Sequence, residues 1–398
     1  MKYMPINVEA LITRIAEIGK TNPSLPRLAD VEPFRHYFSP DGTPDRMNLD
    51  ARDGSCTRRE ILTRFLLLNA VLDQGPDIAG LRQMLIGVTN HLYRREVRFL
   101  HKPVSFFQEI GLSIDSILAE HESVRQVRAE IWARENQSNS SRYNLFMDNS
   151  RQVLGYAIFR WGVPLALPYL LEKDALRNAP DVESPPTLLL DYLEKYASAE
   201  QMATQIKSHE RYGLGKAIGN KAAHLFAKWI VSGFRLTRRN NVSWGDLSYE
   251  VPYDSNAGRV LWRTGYLLHW ASESAYKQKH VLQENRGKGG STYLRVTNIR
   301  GLGAEMPLPD DIAVCYRKIC RENLKTHKKS PKKVEIQRIQ HAYLFKSDFS
   351  VADFDDGLIY VGTSYCFNHA KPLCEECPLK DMCAGYQENP DLIGKFRT

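Results

Sequence analysis

The sequence predicts an almost all-α protein of at least two lobes. Apolar residues recur at helical rather than strand spacing along most of the chain. Its 398 residues are enough to bury more than one core. The chain also ends in four cysteines, Cys366, Cys374, Cys377 and Cys383, spaced C-x7-C-x2-C-x5-C, close enough to converge on one centre.

In chain order, the run from Ile61 to Leu72 is apolar nearly all round. That predicts a central buried helix, ended by Asp73-Gln74-Gly75-Pro76. Residues 77–94 continue as an amphipathic helix, and further helices are expected around 105–135, 148–171, 186–207, 219–233, 255–276, 309–324, 335–346 and 351–362. Breaks fall at the proline-rich 179–186 and at the basic, glycine-rich 286–291; a second basic run, containing Lys328 and Lys329, precedes the cysteines. Each run reads either as a solvated loop or as a phosphate contact.

Formal charge is +8 and the sequence pI about 9.0, compatible with a polyanionic partner but common among proteins with none. No apolar run reaches membrane-spanning length, and the first residues lack a signal-peptide core, so no membrane partner and a cytoplasmic location are expected. In that compartment four clustered thiols suit a soft metal centre better than disulfides. A [4Fe–4S] cluster and a tetrahedral zinc are the two alternatives. Zinc favours two C-x2-C knuckles and this pattern has one, which favours the cluster.

Two further motifs precede the cysteines. The first, Gly213-Leu-Gly-Lys-Ala-Ile-Gly-Asn-Lys-Ala-Ala223, is a glycine-rich turn running into a helix with small residues on one face. Such a turn lets backbone N–H groups approach a phosphate. The second, Val251-Pro-Tyr-Asp-Ser-Asn-Ala-Gly-Arg-Val260, places Asp254 as the cap of a new helix.

In this order, hairpin, capping aspartate and four-cysteine cluster resemble the helix-hairpin-helix DNA glycosylases, in the iron–sulfur branch that includes endonuclease III and the adenine glycosylases. The resemblance spans about 58–383, with Ala217-Ile-Gly-Asn-Lys-Ala-Ala223 on the hairpin and Leu66 to Gln74 on the family's buried helix and DNA-facing turn. It implies a two-lobed fold, a six-helix barrel lobe plus an iron–sulfur helical lobe formed by both termini. On it, 1–57 is an N-terminal extension packing with the C-terminal lobe, and 58–233 is the barrel ending in the hairpin. Residues 234–365 form the helical lobe with the aspartate and basic insertions, and 366–398 the cluster loop and tail.

The resemblance also implies function. The protein would be a monomer that binds double-stranded DNA, associates with the nucleoid, and flips and excises a damaged or modified base. Asp254 would stabilise the sugar cation and Lys221 would be the amine of a coupled strand cleavage. Gly215, Ala217 and Gly219 would meet the backbone with Lys328 and Lys329, while Gln74 or Asn69 would fill the gap left by the flipped base. Base-pocket residues are expected near 156–161.

This chain departs from the pattern in several places. Its first cysteine loop is one residue longer, Ala217 stands for the hairpin's first glycine, Asn256 for a frequent histidine, and the stretch from Lys221 to Asp254 is extended. A register using Gly213-Leu-Gly215 as the hairpin would put Ala217 where the lysine belongs; the first register is preferred because it leaves Ala223 at the small helix position. Repair of the cell's own DNA and removal of a modified base from foreign DNA both remain open. The alternative is a non-catalytic hairpin DNA-binding protein with a structural or redox cluster. An iron–sulfur nuclease fits less well, lacking a recognisable Asp…Glu-x-Lys motif.

Overall fold

Among the described residues, helices form over most of the spans that the apolar spacing predicts, whereas the helices expected around 309–324 and 335–346, the end of that over 255–276, and nearly all of those over 105–135 and 148–171 lie outside the described residues. The computed structural model describes residues 7–73, 78–103, single positions between 106 and 178, 186–196, 198–214, 218–238, 251–266, 282–286, 292–296, 349–367 and 372–388. They divide between two compact units, one of Met1–Ser24 with Val242–Thr398, the other of Leu25–Asn241. The division splits the segment 1–57, whose first 24 residues go with the C-terminal part.

In the first unit, α1 (Val8–Thr21) starts at Asn7, whose side chain accepts the Ala10 N–H at 3.0 Å. Leu11, Ile15 and Ala16 are fully buried, and the helix crosses α8 (Val351–Ser364) at very short range. Glycine on each side makes this possible. A Cβ at Gly19 would lie 1.8 Å from the Asp353 carbonyl oxygen, and one at Gly357 1.9 Å from that of Ile15. Helix α7 (Ser255–Arg263) packs on the far end of α8, where a Cβ at Gly362 would stand 3.0 Å from the Asn256 carbonyl oxygen.

The second unit is built round α2 (Arg58–Leu72), every residue of which after Arg58 is buried, as its apolar run predicts. Thr57 caps it by accepting the Glu60 N–H at 3.2 Å. Glu60 itself reaches forward in sequence: its two oxygens take the N–H groups of Leu189 and Leu190 at 2.9 and 3.0 Å, at the start of α4 (Leu188–Glu194). Arg64 closes the buried pair at 2.9 Å and bonds the Leu100 carbonyl, which satisfies both charges inside the core. Helix α3 (Ile78–Arg94) follows the expected amphipathic span.

Two expectations are corrected in detail. The helix expected over 186–207 is two, α4 and α5 (Ala199–Ser208), because Ser198 caps the second by accepting the Gln201 N–H at 3.2 Å. Helix α6 (Asn220–Lys228) ends in a π turn over Trp229–Gly233, whose Gly233 lies against Leu25. Strands also occur. β1 (Arg52–Asp53) pairs with β2 (Cys56–Thr57), and β3 (Leu282–Arg286) with β4 (Thr292–Val296), both antiparallel. Thr292, Tyr293 and Val296 are strand formers beside a glycine-rich connection, so the basic loop at 286–291 joins two strands. The described residues are helix-rich, and among them no helix is long and apolar enough to cross a membrane.

Candidate functional site

The four cysteines come together. Cys366 follows α8 directly, its N–H donating to the Val361 carbonyl at 2.9 Å. Cys374 and Cys377 share a tight turn, closed by the Cys377 N–H on the Cys374 carbonyl at 3.2 Å. Cys383 ends a 3-10 turn (Lys380–Met382) and precedes α9 (Ala384–Glu388), its carbonyl taking the N–H groups of Tyr386 and Gln387. All four line one pocket, part of it open to solvent, with Val260, Val361 and Leu379 as apolar wall.

Two arginines of α7 fasten this pocket. Arg259 donates to the carbonyls of Cys366 (2.5 Å) and Gly362 (2.9 Å), and to the Asn256 side chain (2.7 Å). Arg263 reaches the Cys366 sulfur at 3.3 Å and the Phe367 carbonyl at 2.9 Å, while the Cys383 thiol donates to Arg263's own carbonyl at 3.3 Å. Both side chains are 5% exposed. Burial pushes the Cys377 thiol up to about 11 and Cys383 up to about 12, with the charge of the other cysteines adding to the effect. Cys377 and Cys383 therefore stay protonated at neutral pH unless a cationic centre draws their protons off.

Four cysteine sulfurs are the donor type that soft metal centres take. Among the described residues no group of three or more His, Cys, Asp or Glu side chains is arranged to hold one ion. The four sulfurs that line this pocket, one of them with an arginine donor, are the donor type of either centre, zinc or cluster.

Asp254 sits at the other end of α7. Its Oδ1 accepts the N–H groups of Asn256 at 2.8 Å and Ala257 at 2.9 Å, and its carbonyl accepts that of Gly258. The half-buried carboxyl group is thus fixed in orientation by the first turn of the helix whose last turn holds Cys366.

The hairpin segment lies in the other unit. Gly213 donates to the His209 carbonyl at 2.9 Å, and a Cβ there would stand 2.4 Å from the same oxygen. Gly219 is the N-cap of α6 and supplies no side-chain bond, so the first N–H groups of the helix are not spent on a capping side chain. Asn220 accepts the Lys207 ammonium at 2.5 Å. Lys221 is half-buried, whereas Ala222, Ala223 and Phe226 face the core.

Lys221 and Asp254 therefore belong to different units. Asn69 is 2% exposed within the core around α2. Gln74, Gly215, Ala217, Lys328 and Lys329, and the expected pocket at 156–161, lie outside the described residues. Sequence reasoning missed the anchoring role of Arg259 and Arg263. Their signal was two arginines four apart, on one face of a helix that otherwise carries Val260 and Leu261. Compared with known proteins, the chain matches no family model, no curated protein and no solved structure.

Proposed function

We propose that the protein is a DNA glycosylase, which draws a damaged or modified base out of the duplex and cleaves its N-glycosidic bond. The reading is supported most by one connection: the capping carboxylate Asp254 and the four-cysteine pocket sit at opposite ends of α7, joined by Arg259 and Arg263. A cap alone needs no such coupling to a metal-type pocket. A [4Fe–4S] cluster on Cys366, Cys374, Cys377 and Cys383 supplies a structural cross-link and one-electron chemistry when bound.

The remaining roles follow from charge and geometry. As the base leaves, its bond electrons go with it and the sugar becomes oxocarbenium-like; the Asp254 carboxylate, held by two N–H groups, stabilises that cation. The nucleophile at C1′ is either water or the amine of Lys221. With Lys221 the new N–C1′ bond goes on to a Schiff base, after which β-elimination cuts the strand. The N-terminus of α6, Lys207 and the basic run at Lys328 and Lys329 meet phosphates.

One observation favours the second reading, a non-catalytic hairpin DNA-binding protein: Asp254 already has a structural task as the cap of α7. A panel of duplexes, each with one modified base, scored for abasic sites with and without alkali, decides between them. Release of at least one base supports the enzyme. Tight duplex binding with no release from any of them leaves the second reading.

A further inference from the structure

Around the ends of α4 and α5 lies a group of aromatic and cationic side chains that base release does not use. Lys195 is exposed, yet its ammonium lies 4.2 Å from the centre of the Tyr192 ring, 5.1 Å from Tyr196 and 5.9 Å from Tyr212. Tyr192 and Tyr196 meet edge to face at 5.6 Å and share an O–H···O bond of 3.0 Å. Tyr212 stands edge-on to Tyr192 at 5.2 Å, and His209 stacks on Tyr212 at 5.1 Å. Asp174 holds both the Arg211 guanidinium and the Tyr212 hydroxyl.

Packing alone does not call for this arrangement. Tyr192 is buried, but Tyr196, His209 and Tyr212 are only half-buried. A lysine on a surface normally extends into water; here the ring faces hold it, and it has no carboxylate partner among the described residues. A fixed ammonium beside partly exposed rings offers one group for a phosphate and others for bases, which all present a π face whatever their sequence. The local charge agrees: residues 195–221 carry five Lys or Arg against two Glu. Position agrees as well. Tyr212 directly precedes Gly213 and Leu214, the turn that leads to the N-terminus of α6.

We propose that Lys195, Tyr196, His209 and Tyr212 form a binding surface for an unpaired DNA strand, with the ammonium on a phosphate and the Tyr196 and Tyr212 rings against bases. Paired bases are stacked inside the duplex and cannot use the rings, so the surface serves the strand where it has been opened beside the hairpin contact. The inference rests on the reading that the chain acts on DNA.

Fluorescence anisotropy with a labelled oligothymidine of about 12 nucleotides, a length within the range such surfaces cover, tests it. Tyr196→Ala weakens single-strand binding about tenfold, Tyr196→Phe restores it, and binding to an unmodified duplex is unchanged. Lys195→Met reduces the salt slope for the single strand by about 0.7, the share of one phosphate. Thermal unfolding of each variant separates lost contact from lost fold. Wild-type protein that ignores the oligothymidine at low salt overturns the proposal, as do Tyr196→Ala and Lys195→Met variants that bind it like wild type. Base release from duplexes, scored on the same preparations, keeps the two ideas apart. Release without single-strand binding removes this surface alone, whereas single-strand binding without release removes only the enzyme.

Discussion

Arg263 touches both the first and the last cysteine of the pattern: its guanidinium donates to the Cys366 sulfur at 3.3 Å, and its carbonyl accepts the Cys383 thiol at 3.3 Å. Replacing it by leucine removes a donor from the part-buried Phe367 carbonyl and Cys366 sulfur. Arg263→Leu should therefore lower stability by about 1–3 kcal/mol and reduce the metal retained per chain. Urea unfolding and metal analysis of the purified variant check both. Unchanged metal content in a less stable protein would show that the arginine only packs.

The proposed cluster predicts which metal the protein carries. Anaerobically purified protein should be brown and hold about four irons per chain. Cys374→Ser should lose the metal and loosen the segment from Cys366 to Glu388, since ligation is coupled to folding. Stoichiometric zinc with no iron would refute the cluster.

Asp254→Asn isolates the chemistry from the fold. Asparagine caps a helix about as well as aspartate, so α7 should keep its start and DNA affinity should hardly change. Base release should nonetheless be abolished, because the carboxylate's charge is what stabilises the sugar cation. Lys221→Gln then divides the two nucleophiles. Borohydride should trap a covalent enzyme–DNA adduct with wild type and none with the variant if the amine attacks. An Asp254→Asn protein that still releases base would sink the catalytic reading in either form.

The crossing of α1 and α8 makes a purely structural prediction. Gly357→Ala would drive a methyl to within 1.9 Å of a backbone oxygen and should destabilise the protein by about 1–3 kcal/mol or more. Gly87→Ala, on α3 with open space round its Cβ position, should instead be neutral or stabilising by up to about 1 kcal/mol. Equal melting temperatures for the two variants would contradict the close crossing.

Acid sensitivity should have a component at Asp53. The His101 imidazole, 3.3 Å away, and the hydrogen bond from the Tyr37 hydroxyl outweigh partial burial and hold the carboxyl down to about 2, from 3.8. A lowered carboxyl stabilises the fold above its unfolded value, and that contribution disappears as pH falls from about 4 through about 2. It amounts to about 2 kcal/mol at most. Asp53→Asn should flatten this part of the stability profile, and an unaltered acid limb in urea titrations from pH about 5 to 2 would disprove it.

By itself the sequence determined what depends on local pattern. The apolar run from Ile61 marks α2 and its buried place, the 77–94 periodicity marks α3, and the spacing of four cysteines brings their sulfurs to one pocket. These follow from near neighbours, so a single chain suffices to read them. The glycines at 19 and 357 carry no local signal, since their reason is another helix's backbone across the crossing. Only the tertiary structure decided that Glu60 serves α4, that α4 and α5 separate at Ser198, and that Lys195 lies among three tyrosines. It alone joined Arg263 to Cys366, about a hundred residues away in sequence. A hydrogen bond is chosen by what folding brings within about 3 Å, and residue spacing does not record that.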